Sequence, residues 1–123
     1  MKLLHLSFFF CCVISLQAQK TSVFAERTAE YERGLDLYDK GVYGAALTAF
    51  EKSSKIDAEL VEPKADLLSM KSQLMMSKSA VRIGKPDAEM VMLSFFRNNT
   101  PDALAYEAVM DLGNYYYAKK NYE

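Results

Sequence analysis

The chain has 123 residues, enough for one domain of ordinary size. Its 16 acidic and 15 basic side chains nearly cancel, so no global field draws it to nucleic acid. Half the residues are hydrophobic and they are spaced rather than clustered, so the chain past its apolar leader is expected to fold and stay soluble.

Met1-Lys2 opens the chain with positive charge, and the run Leu3 to Leu16 is apolar except for His5, Ser7 and Ser15. Ala18 then offers a small residue ahead of the polar Gln19-Lys20. This is the pattern of a secretory signal peptide over residues 1–18. The run falls short of the roughly 20 apolar residues that a membrane span needs. Cys11 and Cys12 sit mid-run behind Phe8-Phe9-Phe10, without the small residue that precedes a lipoprotein cysteine. Cleavage near Ala18 removes both cysteines and His5, the only histidine. What remains lacks the commonest general base, the commonest metal ligand and the strongest nucleophile. With no disulfide framework and no glycine-rich phosphate loop among five glycines, a non-catalytic protein without cofactor or metal is expected.

Valine and isoleucine are sparse beside alanine, leucine, methionine, lysine and glutamate, which favours helix over sheet. Five helices are expected in order: Ser22 to Lys40, Tyr43 to Ile56, Pro63 to Ile83, Pro86 to Arg97 and Pro101 to Lys119. Gly41 makes the first tight turn, Gly84 stops the third helix, and Asn98-Asn99 end the fourth. Each proline suits a first helical position, and Thr100 ahead of Pro101 is a plausible N-cap. Short connections imply antiparallel neighbours. No alternating run of four or more residues makes a strand.

Gly34 and Ala46 lie on either side of the Gly41 turn, where small residues let two helix backbones approach. Phe50 follows Ala46 by one helical turn on the same face. Gly34, Leu37, Gly41 and Tyr43 recur as Gly113, Tyr116, Lys120 and Tyr122 at a constant offset. The element Gly34…Ala46-x3-Phe50 and the run Leu112-Gly113-x2-Tyr116 resemble the tetratricopeptide repeat, a helix-turn-helix unit of about 34 residues. The first unit departs from that pattern at Glu30, Arg33 and Leu37. The middle unit carries it only through Ser77, Gly84, Ala88, Met92 and Phe95.

The resemblance implies an all-α fold of antiparallel helical hairpins stacked as a short right-handed solenoid over residues 19–123, in units of about 22–60, 61–99 and 100–123. The last unit is incomplete, and Val109, Leu112 and Tyr116 are expected on or near its uncovered end. The chain then reads as the N-terminal part of a longer protein or as a truncated frame. The resemblance further implies a protein-binding scaffold, similar to tetratricopeptide proteins of Bacteroidetes-type cell envelopes. Its place would be the periplasm or outer-membrane periphery of a Gram-negative bacterium, with only indirect membrane association. Two other classes stay open: the helical part of a longer envelope enzyme, and a glycan-binding SusD-like protein.

Lys64, Lys71, Lys78 and Lys85 recur every seven residues, with Arg82 beside the stripe and Leu67 and Leu74 flanking it. In tetratricopeptide proteins the first helix of each pair lines the concave groove. Lys64, Lys71, Lys78 and Arg82 are therefore candidates for holding the carboxylates of a protein or peptide partner, against the alternative of a plain solvated face. Tyr115, Tyr116 and Tyr117 point to different sides of one helix. Tyr116 fits packing, and Tyr115 and Tyr117 are candidates for partner contact. The methionines of the middle unit suit either an ordinary helical core or an adaptable surface.

Overall fold

A computed structural model describes residues 22–55 and 67–120 of the chain. The apolar leader with its expected cut, the 56–66 connection and Lys64 lie outside the described residues. Every regular element among the described residues is helical: α1 over residues 22–39, α2 over Tyr43–Ser54, α3 over Leu67–Arg82, α4 over Ala88–Asn99 and α5 over Ala103–Lys120. The all-α class expected from composition is thus observed.

Two glycines end helices as the sequence implies. Gly41 and Gly84 have φ of 76° and 71°, the left-handed region that a side chain disfavours. After α1, Gly41 N–H donates to the Tyr38 carbonyl and Val42 N–H to the Leu37 carbonyl. After α3, Gly84 N–H donates to Val81 and Lys85 N–H to Ala80. Each pair closes a Schellman turn and satisfies carbonyls that the helix end would otherwise leave bare.

Pro63 lies outside the described residues, and Pro86 and Pro101 act differently from expectation. α4 begins at Ala88 and α5 at Ala103, so Pro86 and Pro101 stand two residues ahead of their helices rather than at the first helical position. Thr100 does not cap α5; its hydroxyl donates back to the Phe96 carbonyl and closes α4. The cap is Asp102, whose Oδ1 accepts the Leu104 N–H at 2.8 Å. A carboxylate is the stronger choice there, because it satisfies a free N–H and also meets the positive end of the helix dipole. Asp102→Ala is expected to cost about 1 kcal/mol in urea unfolding. A larger loss from Thr100→Ala would reverse this assignment.

α3 is central. It packs against α2 most extensively and also against α4 and α5, while α4 packs on α5. The backbones of α2 and α4 do not approach each other. Between α3, α4 and α5 lies a core of Leu74, Val81, Ala88, Met92, Phe95, Ala108 and Leu112. Leu112, expected near the uncovered end, is instead buried in this core; Val109 is exposed as expected, and Tyr116, which its motif position assigned to packing, is exposed with its hydroxyl donating to Glu89 Oε2 at 2.9 Å.

The first hairpin closes on Phe50, which is fully buried in the Gly34 notch of α1. The Tyr31 ring lies 5.7 Å from it, and Arg27 Nε donates to the Ser53 carbonyl at 2.8 Å. The α2–α3 contact is made largely by serines. Ser53 and Ser72 share a hydroxyl hydrogen bond of 2.8 Å, and Ser69 donates to the Ser54 carbonyl. Ser77 and Ser79 return their hydroxyls to carbonyls four residues back. Small side chains bring these helices close, and each hydroxyl finds a partner, so burial leaves no polar group bare.

Candidate functional site

α3 presents two faces, one shared with α1 and α5 and the other lying between α2 and α4. The first holds most of the residues named from sequence. Lys78 reaches across to α5, where Glu107 and Asp111 stand one helical turn apart. Its ammonium donates to Glu107 Oε1 at 2.6 Å and lies 2.9 Å from Asp111 Oδ2. The Lys78 side chain is only 10 % exposed. Burial by itself disfavours the charged form, yet the hydrogen bonds to Glu107 and Asp111, with their negative charges, outweigh it and raise the Lys78 pKa. A cation held this way stays charged and serves neither as a general base nor as a nucleophile at neutral pH.

Arg82 follows one turn later on α3. Its Nε donates to the Tyr38 hydroxyl of α1 at 3.4 Å, and its guanidinium carbon lies 5.7 Å from the Tyr115 ring centroid of α5. That hydrogen bond is the main reason the Arg82 pKa is raised, against a smaller effect of burial. Tyr31 of α1 also has a raised pKa, first through burial and then through the charges of Glu32 and Glu107, with Lys78 opposing. The crevice where Tyr38, Lys78, Arg82, Asp111 and Tyr115 converge encloses only ≈ 10 Å³. These side chains already fill the space between α1, α3 and α5.

The structure thus brings Lys78, Arg82 and Tyr115 together. Lys71, two helical turns before Lys78 on the same side of α3, is exposed. Lys85 does not continue the seven-residue stripe; it falls in the turn after Gly84 and lines the opposite face of α3. Tyr117 is 71 % exposed on the outer side of α5, away from Lys78. The partners of Lys78 escaped the sequence reading, although Glu107 and Asp111 carry the four-residue spacing of one helix face.

The second face is open. Because α2 and α4 both pack to α3 or its neighbours but not to each other, a groove of ≈ 730 Å³ runs between them. Its floor and walls include Leu47 of α2, Met76 and Ala80 of α3, and Met90, Val91 and Phe95 of α4. Met90 is 68 % exposed there. Gln73, Asn98 and Asn99 place amides at the groove, with Glu51, Lys85 and Asp87 adding charges of both signs. The methionines therefore divide between roles: Met92 is core, while Met76 and Met90 face this groove.

Among the described residues, no group of three or more His, Cys, Asp or Glu side chains is arranged to hold a metal ion. None of the described helices is long and apolar enough to cross a membrane. No family model matches the chain, and neither the curated proteins nor the solved structures include one with significant similarity to it.

Proposed function

We propose that the chain is a non-catalytic scaffold of tetratricopeptide-like hairpins, stacked in right-handed order, that binds a segment of a partner protein. Support for the repeat reading comes from Gly34 receiving the Phe50 ring, and from α3 packing on the helix before it and on the two after it. The Met1–Ala18 pattern supports export, and the resemblance to envelope tetratricopeptide proteins supports a periplasmic or outer-membrane-peripheral place in a Gram-negative bacterium.

The observation that carries the binding role is the α2–α4 groove. It is concave, its apolar residues Leu47, Met76, Ala80, Val91 and Phe95 stand among polar side chains, and it lies between the second helices of two hairpins rather than along the first helices that the resemblance implies. Lys78 and Arg82 support this choice from the other side, because their charges and donors are already engaged within the chain. The segment that fits the groove is apolar along one side. Met76 and Met90 adapt to its side chains, and the Asn98 amide meets its backbone, joined by the amide oxygens of Gln73 and Asn99, whose nitrogens donate to Ser69 Oγ and the Phe95 carbonyl.

The test is a photo-crosslinking residue placed at Met90 or at Lys71 in the exported protein in intact source cells. A discrete protein product is expected from position 90, reduced about tenfold by Val91→Glu at the groove wall. A folded, exported protein that crosslinks to nothing from position 90 would refute the groove. Products from position 71 alone would return the site to the lysine face.

A further inference from the structure

The two ends of the α2–α4 groove differ in charge. Near the α3–α4 turn stand Lys85 and Asp87, two residues apart and opposite in sign, so that end carries no net charge. At the other end stands Glu51 of α2, with Gln73 of α3 and Asn98 and Asn99 of α4. The antiparallel register fixed by the Ser53–Ser72 bond sets Glu51 beside Gln73. Asn98 and Asn99 close α4, whose wall from Asp87 to Asn99 runs about 18 Å along the groove.

The Glu51 end is rich in acceptors. Among the described residues the Glu51 carboxylate meets no cation, and the neighbouring Lys52 ammonium lies 3.8 Å from Glu30 instead. Hydrogen-bond partners fix the two amides. Ser69 gives its one proton to the Ser54 carbonyl at 3.0 Å, so toward Gln73 it accepts, and the Gln73 nitrogen donates to it at 3.3 Å. The Phe95 carbonyl can only accept, so the Asn99 nitrogen donates to it at 2.8 Å. Both amides thus commit a nitrogen within the chain and leave their oxygens for a ligand. α2 and α4 both run antiparallel to α3, so their C-terminal ends add the negative poles of two helix dipoles here. Lys55 and Arg97 lie close by in sequence, but neither lines the groove.

A carboxylate with two amide oxygens calls for a cation with many donors. The planar guanidinium of arginine carries five N–H groups and stays charged, and its stem can lie along Leu47 and Phe95. A lysine brings the same charge with only three donors. An acidic side chain would be repelled by Glu51.

We propose that the segment taken up by the groove carries an arginine just beyond its apolar residues, seated at the Glu51 end. This choice of ligand rests on the groove being the binding surface, and the test separates the two.

A phage-displayed library of random peptides about 16 residues long, enough to run the groove as a helix or a strand, is selected against the full chain. Binders seated in the groove are those lost with Val91→Glu. Among them arginine should be enriched at one end of the apolar residues. For one such peptide made synthetically, replacing its arginine by glutamine and introducing Glu51→Gln should each weaken binding about fivefold, and together by little more than either alone. Selection against Glu51→Arg should replace the arginine by aspartate or glutamate. Glu51 is exposed, so neither variant should lower the melting temperature. Val91-dependent binders without a basic residue, or with affinity indifferent to Glu51→Gln, overturn the arginine and keep the groove. Absence of any Val91-dependent binder overturns the groove and the arginine with it.

Discussion

Gly34→Ala is expected to destabilise the protein even though alanine is the better helix former. A β-carbon at Gly34 would lie 2.5, 2.7 and 2.9 Å from three atoms of the Phe50 ring. Those contacts are too short to keep, and the ring is fully buried, so it has no free end to swing away. Overpacking of this kind costs about 1–3 kcal/mol, against about 1 kcal/mol gained from helix propensity. Gly34→Val should cost about 3 kcal/mol, because two more methyl groups enter the same space. Phe50→Ala removes the ring that closes α1 on α2 and should cost about 3–5 kcal/mol. The decisive variant is Phe50→Leu in the Gly34→Ala background. A smaller side chain relieves the clash, so the two changes together should cost less than their sum by at least about 0.5 kcal/mol. Urea unfolding followed by far-UV circular dichroism reads these four and Phe50→Leu alone, which completes the cycle. A Gly34→Ala protein with a higher midpoint than the parent would mean that α1 and α2 do not approach closely at this point.

This contact was legible in the sequence because it depends on residue size at fixed helical spacing. Gly34, Ala46 and Phe50 announce a notch, a close approach and the side chain that fills it. Gly41 and Gly84 were equally legible, since a left-handed residue after a helix is nearly a glycine property. The prolines misled because two places suit them near a helix start. Fixing φ serves the first turn, but it serves the approach to the helix equally well, and Asp102 decided between these by supplying the cap. The serines of α3 were illegible for another reason. A polar residue reads as surface unless its hydroxyl can be paired, and the partners of Ser69 and Ser72 across the interface lie on a different helix, α2. The same holds for the candidate site. Lysine spacing placed Lys71 and Lys78 together on one side of α3, but nothing on α3 indicated that Glu107 and Asp111 of α5 would claim Lys78. The α2–α4 groove arises from a missing contact between two helices, which no local pattern encodes.

Removing the partners of Lys78 should harm the protein more than removing Lys78. Glu107→Gln with Asp111→Asn leaves an ammonium that is only 10 % exposed without either countercharge. The two carboxylates are themselves partly exposed, so the loss should be about 1–3 kcal/mol rather than that of a deeply buried pair. Lys78→Met keeps most of the apolar stem, frees both carboxylates to water, and should change stability by less than about 1 kcal/mol. The pH dependence separates the variants further. Because folding raises the Lys78 pKa, its contribution is complete below the ordinary lysine value of about 10.4 and disappears as pH rises through the folded value. The parent should therefore lose stability above about pH 10.4 by an amount that Lys78→Met does not lose, measured as the shift in urea midpoint between the two proteins. Equal losses in both would mean that the ion pair contributes nothing to the fold. In that case Lys78 would be free to exchange its internal carboxylates for a partner's. The argument that directs binding to the far side of α3 would then fail, leaving the groove to be judged on its own shape and lining.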